Sequence, residues 1–458
     1  MAVLTGAVLA GAVACSGSAG GGGETSTGSA PPTRTLAPDP GGGGQPDAAW
    51  PTYGRDFARS GVADAARPAS LTVSWRVHLD GAVYGQPLLV GNLVIAATEN
   101  DSIYGLDQAT GTVAWRTHVG TPVPLSDLPC GNIDPLGITG SPVYNPASGL
   151  VYAVAETSGY HHELVGVSVG DGSIRVERDI RTPDGQPRYD QQRPALTIAA
   201  GRVYVAFGGL AGDCGPYRGS VVGIPLSGAG PMISYVVPTP REGAVWATGG
   251  PVTGPDGTMY VSVGNGSGTS FDDSDSVTAL SPGLRRTGVF APSTWRHDND
   301  NDLDLGSTQP ALLPGGMLLA DGKSGTAYLV KAGHLGGVGG QVAQAEVCPA
   351  YGAAAVQGNV VYEPCAQGGL AAVDTAGHKI RVRWRGPSQA QGSPVIGGGA
   401  VWVTDYQGGT LYELDQATGA TRDSLSLRTT LPHFSSMSMT GSHAFLGTME
   451  GVIAVGGV

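Results

Sequence analysis

Short apolar runs alternate with Gly-rich polar turns along this 458-residue chain, without the 3.6-residue period of a helix. In the first unit, residues 85–89, 92–97, 102–106 and 112–119 read as four successive short strands. A dipeptide ending in proline opens such a run at Gln86-Pro87, Ser141-Pro142, Arg193-Pro194, Gly250-Pro251, Gln309-Pro310 and Ser393-Pro394. These prolines lie 52 to 59 residues apart as far as Pro310, then 84 apart, which is two steps of 42. Residues 352–355 (Gly-Ala-Ala-Ala) mark the midpoint of the long gap, and one further step of 42 lands on Ser436 in Ser435-Ser436-Met437. Eight starts of about four strands each predict an all-β, eight-bladed propeller.

The turns support this. Leu106-Asp107-Gln108-Ala109-Thr110-Gly111 separates the third and fourth strands of the first unit and returns unchanged at residues 414–419. Asp accepts hydrogen bonds from the turn amides, and Gly takes the position with φ > 0. The last unit, residues 435–458, has room for about three strands. Residues 71–78 resemble 113–118, with Trp75 in the place of Trp115, so an N-terminal strand is expected to complete the last blade and close the ring.

Residues 1–14 are uncharged and mostly apolar, too short to span a bilayer and suited to a signal-peptide core. They lead into Ala12-Val13-Ala14-Cys15, which resembles a bacterial lipobox with Ala where Leu is favoured. The expectation is export, lipidation of Cys15, and anchoring to the outer side of the cytoplasmic membrane. Residues 15–49, built from Gly, Ser, Thr, Pro and Ala, read as a flexible linker, and residues 50–458 as the propeller.

The remaining cysteines are Cys130, Cys214, Cys348 and Cys365. An even number in an exported chain points to two disulfides. In a propeller, the loops after fourth strands share a face with the loops between second and third strands. That geometry selects Cys348–Cys365 and Cys130–Cys214. A net charge of −12 argues against a nucleic-acid partner.

Trp50-Pro51-Thr52-Tyr53-Gly54-Arg55-Asp56, the Leu-Asp-x-x-Thr-Gly hairpins and the outer-strand Trp75, Trp115 and Trp384 resemble the pyrroloquinoline-quinone (PQQ)-like repeat propellers. That superfamily includes quinoprotein alcohol dehydrogenases and non-catalytic lipoproteins of outer-membrane β-barrel assembly. The resemblance therefore implies the fold and leaves the function to the site. The dehydrogenases hold the quinone against two adjacent bonded cysteines, which this sequence lacks. The preferred expectation is a monomeric, non-catalytic lipoprotein binding a protein or another cell-envelope ligand through its loop-rich face. It touches the membrane through its lipid alone, with no catalytic, cofactor or metal residue assigned.

The alternative is a PQQ-dependent alcohol or sugar dehydrogenase. It would use Asp302 or Asp304 as base, with Asp298, Asp300, Asp302 and Asp304 as calcium ligands. Gln86, Arg193, Trp246 and Gln309, which begin inner strands, would face the quinone, with Trp246 stacked on it and Arg193 paired to a carboxylate. The competing structural expectation pairs Arg193 with Asp190 and packs Trp246 between blades. His161-His162 and the His433, Met437, Met439 set are weak metal candidates. The alternating Arg381, Arg383 and Arg385 read as a solvated outer edge.

Overall fold

In the computed structural model, residues 48–68 and 71–456 are described. The expected signal core, Cys15 and most of the linker lie outside them. Eight sheets form a propeller. Blade 1 comprises Leu88–Val90, Leu93–Ala97, Ser102–Asp107 and Val113–His118; blade 2, Val143–Asn145, Leu150–Thr157, His161–Ser168 and Ile174–Ile180. Blade 3 comprises Thr197–Ala199, Arg202–Gly209, Ser220–Pro225 and Ile233–Val236; blade 4, Val252–Thr253, Met259–Val263, Ser276–Leu280 and Arg286–Ala291. Blade 5 comprises Ala311–Leu313, Met317–Ala320, Thr326–Lys331 and Ala343–Glu346; blade 6, Ala355–Gln357, Val360–Cys365, Gly369–Asp374 and Arg381–Arg385. Blade 7 comprises Val395–Gly397, Ala400–Asp405, Thr410–Asp415 and Thr421–Ser426. Blade 8 takes Met437–Thr440, His443–Thr448 and Gly451–Gly456 from the C-terminus and its outer strand, Val73–His78, from the N-terminal side.

The repeated turn and the outer tryptophans belong to one device. Asp107 Oδ1 accepts from the amides of Ala109 and Thr110 and from Thr110 Oγ1, and Asp415 does the same at Ala417 and Thr418. The turn then receives the indole of the preceding blade. Trp75 Nε1 donates to Gln108 O at 2.9 Å, Trp115 Nε1 to Val169 O at 2.9 Å, and Trp384 Nε1 to Gln416 O at 3.1 Å. Each ring lies on the turn glycine: a Cβ on Gly111, where φ is +72°, would stand 2.7 Å from Trp75. Glycine is therefore required twice, for the backbone angle and for the indole.

The axis is filled by the chain itself. Ala48–Trp50 pairs antiparallel with the inner strand Leu88–Val90. Residues 51–66 then run around the centre. Pro51 O accepts from Tyr144 N of blade 2, Phe57 O from Thr253 N of blade 4, Ser60 O from Val356 N of blade 6, and Gly61 O from Ile396 N of blade 7. Ala66 N donates to Gly441 O of blade 8. Arg59, 1 % exposed, braces this plug: Nη1 donates to Thr52 Oγ1 (2.6 Å) and Tyr53 O (3.0 Å), and Nη2 to Leu196 O of blade 3 (2.9 Å). Tyr53 is buried between Ala195 of blade 3 and Ala353 of blade 6.

The disulfides are Cys130–Cys214 and Cys348–Cys365, with Cα–Cα distances of 6.2 and 5.6 Å, as the loop geometry required. Two local features depart from four plain strands per blade. Gly337–Val338, in the long connection of blade 5, adds parallel to the outer strand of blade 4. Part of the acidic run before blade 5 folds as a short helix, Trp295–Asp300.

Buried carboxyls lie between blades. Glu99, Asp101 and Glu156 are each at most 2 % exposed, beside the buried His162. Burial pushes Glu99 up to about 8, although Gly137 N and Thr139 Oγ1 donate to its Oε2. Such a group keeps its proton on folding. Its stabilising contribution is complete below its ordinary value near 4.5 and is lost as pH rises through about 8. The thermal midpoint of the wild type is expected to fall from pH 5 to pH 9, and that of Glu99→Gln to fall less. Equal slopes in calorimetry would remove Glu99 from this linkage. Arg59→Met strands two acceptors in the plug and one in blade 3 and should lower stability by about 3 kcal/mol in urea titration. A loss below about 1 kcal/mol would show that Arg59 does not brace it.

Candidate ligand-binding funnel

Loops after fourth strands and between second and third strands surround a cavity of about 580 Å³. Its walls come mainly from blades 3 to 6 and the start of blade 8. The segments leading into inner strands contribute Arg193, Trp246, Asp304, Tyr351 and Phe434. Second-to-third loops contribute Asn265 and Lys323.

The centre of charge is Lys323. Its Nζ lies 2.5 Å from Asp302 Oδ1, 2.7 Å from Asp304 Oδ2 and 5.7 Å from the centroid of the Trp246 ring. Burial works against the ammonium, but Asp304 and Asp302 outweigh it and raise its pKa. Burial raises Asp304, and Lys323 partly offsets that. Asp304 side chain is 3 % exposed and Asp302 71 %, so the lysine joins a buried carboxylate to one at the rim. Asn265 Nδ2 donates to Asp302 Oδ1 at 2.8 Å.

An aromatic group forms the other wall. Phe434 stacks parallel to Tyr351 with centroids 6.4 Å apart, tilts against Trp246 at 6.3 Å, and carries the Arg193 guanidinium 5.0 Å from its centroid. Its φ of +62° is left-handed, a region that bulky side chains avoid and that concentrates at functional positions. Burial, then the Arg193 charge, lower the pKa of His433.

The residues singled out from sequence divide. Arg193, Trp246, Asp302 and Asp304 meet at the cavity. Arg193 does not pair with Asp190: both Asp190 carboxyl oxygens are buried without a hydrogen-bond partner, and Asp190–Gln191 forms a short strand against Gly208 and Gly209. Trp246 faces the cavity instead of being consumed between blades. Gln86 is structural. Its Oε1 accepts from Trp50 Nε1 (2.7 Å) and Gly54 N (2.8 Å), while Nε2 donates to Ser436 Oγ and Met437 O, both at 2.8 Å. Gln309 likewise bridges to the backbone of blade 6 at Gly352 and Ala354.

Asp298, Asp300, Asp302 and Asp304 do not converge. The helix turns Asp298 inward to Thr294 Oγ1 (2.7 Å) and leaves Asp300 exposed. Among the described residues, no three His, Cys, Asp or Glu side chains are grouped to hold a metal ion. His161 and His162 point apart, to Asp179 and into the core. Met437 and Met439 are core residues of blade 8. Arg383 pairs with Asp374, and Arg385 donates to Val347 O. Lys323, Asn265, Tyr351 and Phe434 went unnoticed in the sequence. The loop rule that placed the cysteines also assigns Lys323 and Asn265 to this face.

A family model described as "Outer membrane protein assembly factor BamB" matches residues 53–212 and 295–455. No curated protein matches the sequence. Among solved structures, quinohemoprotein alcohol dehydrogenase from Comamonas testosteroni is 16 % identical, with a TM-score of 0.66 over 89 % of this chain and 81 % of that one. BamB from Moraxella catarrhalis is 14 % identical, with a TM-score of 0.57 over 84 % and 97 %. A europium-containing methanol dehydrogenase is 13 % identical, with a TM-score of 0.66 over 88 % and 90 %. At these identities the structural likenesses establish the fold, whereas the family match spans more than half of the chain. The chain belongs to the BamB-type family of PQQ-like repeat propellers.

Proposed function

We propose that this chain is an exported lipoprotein, held through Cys15, whose propeller binds a protein or other cell-envelope ligand in the funnel without catalysing a reaction. The observation that carries the reading is a concave aromatic and polar cup, closed beneath by the chain's own plug, in which Lys323 pairs with both Asp302 and Asp304. Cups of this size bury a small molecule or an inserted side chain. Membership of a family described as an outer membrane protein assembly factor supports a protein ligand. Two disulfides fit an oxidising compartment.

PQQ with calcium fits these residues poorly. Trp246 offers a flat face and Arg193 a guanidinium, but Lys323 occupies the cation position between Asp302 and Asp304, and the sequence has no adjacent cysteines. No redox step is therefore derived.

Purified protein titrated with PQQ and Ca²⁺ should give no turnover with alcohols or sugars in a dye-linked assay. Turnover abolished by Asp304→Asn would replace the binding reading with the dehydrogenase one. A photo-crosslinking residue in place of Tyr351, at the cup, should capture a defined envelope ligand, and one in place of Arg381, on the outer edge, should not. Equal labelling would place the binding surface elsewhere. Labelling with a lipid precursor should fail in Cys15→Ala, which should leave the membrane fraction. Unchanged fractionation would move the anchor.

A further inference from the structure

Among the described residues, an aromatic side chain closes each blade onto the third-to-fourth turn of the next, with one exception. The acceptor is always the carbonyl of the residue that follows the third strand. Outer-strand indoles of blades 8, 1 and 6 donate to Gln108, Val169 and Gln416. From blades 2, 3 and 4 a second-strand tyrosine does the same. Tyr152 Oη donates to Leu226 O (2.8 Å), Tyr204 Oη to Pro282 O (2.6 Å) and Tyr260 Oη to Ala332 O (3.2 Å). Between blades 5 and 6 both positions are aliphatic. Ala343 pairs with Leu329 as Trp115 pairs with Gly105, and Leu319 pairs with Ala311 as Tyr204 pairs with Thr197.

A cavity of about 140 Å³ lies at that junction, among the hairpin turns and so on the face opposite the funnel. Leu313, Met317 and Leu329 of blade 5 form its buried apolar wall, and Pro314, Gly377 and His378 are exposed at its mouth. Thr375, also on the wall, follows the third strand Gly369–Asp374, so its carbonyl holds the place of the acceptors at the other junctions. An apolar cavity of roughly 150 Å³ accommodates one benzene ring. The chain has no ring to supply. Residues 1–47 contain no Phe, Trp or Tyr. Among the described residues none of these is exposed, so a second copy has none to lend. The mouth lies between hairpin tips, which offer a partner's backbone no strand edge to pair with.

We propose that this junction is a binding site for one small phenol-type molecule. Its single ring lies against Leu313, Met317 and Leu329, and its hydroxyl donates to Thr375 O. The ligand stands in for the aromatic side chain that the other junctions carry. Burial of the ring and the edge hydrogen bond both contribute to its affinity. The site is separate from the funnel and does not depend on what the funnel binds.

The test is thermal unfolding with p-cresol as the probe. A saturable rise in Tm on the order of 2 °C is expected. Toluene, the same ring without the hydroxyl, should bind about fivefold more weakly. Crystals soaked with 4-iodophenol should give an anomalous iodine peak in the cavity. Ala343→Trp combined with Leu329→Ala copies the pair Trp384 and Ala372 of blade 6. It should raise the Tm of the free protein and abolish the p-cresol response. Leu313→Phe, which narrows the cavity, should weaken the response about tenfold and keeps the test decisive should the double variant fail to fold. The proposal is overturned by no saturable response, by a response unchanged in either folded variant, by equal affinity for toluene, or by iodine in the funnel alone. Tighter binding of the tripeptide Gly-Tyr-Gly than of p-cresol would give the site to a partner's side chain and overturn the free ligand.

Discussion

Eight sheets packed side by side cannot meet at a point, and the hole they leave must be filled before the molecule can be compact. Here the filling is covalently supplied. Residues 48–66 thread the axis and exchange hydrogen bonds with inner strands or strand starts of seven blades, blade 5 excepted among the described contacts. Trp50, Phe57, Val62 and Ala63 of the segment pack into the hydrophobic clusters of the blades, and backbone pairing and Arg59 complete its fixation. The buried guanidinium is tolerable because two carbonyls and a hydroxyl accept from it. Gln86 joins the same system. One side chain links the plug, the first blade and the last, which makes the axis and the ring seam a single structural problem.

Function follows from that seal. With the axis blocked, the loop-rich face holds a blind cup instead of a channel. Within the cup, Lys323 pairs with Asp302 and Asp304, and the Arg193 guanidinium lies over the Phe434 ring. The cup offers shape, aromatic surface and hydrogen-bonding groups, which are the means of recognition.

The fold was legible because its signals repeat. Period, turn chemistry and the shared indole partner identify blades, closure and disulfides without any long-range reasoning. The site was legible in part. Residues before inner strands face the axis, so Arg193 and Trp246 were found, while Asp304 was found as part of the acidic run. Being on the axis does not decide whether a side chain lines a cavity or is consumed by the plug. Gln86 was consumed by Trp50 and Gly54, a contact no local pattern encodes. The acidic run misled for another reason. Its spacing resembles a cation loop, but Trp295–Asp300 coils into a helix that disperses the carboxyls, and one distant lysine pairs with the remaining two. Trp50 to Asp56 drew attention as a family motif, whereas its physical role as an axial plug appears only when the ring is closed around it.

The sealed axis is most directly tested by native-state hydrogen exchange at Tyr144, Thr253 and Val356, whose amides donate to the plug carbonyls of Pro51, Phe57 and Ser60. A plug integral to the ring requires that all three exchange only through global unfolding, with the same protection as blade-interior amides such as Val165. Rapid exchange at these three positions while Val165 stays protected would show a loosely held strap, and the cup would then have no fixed floor.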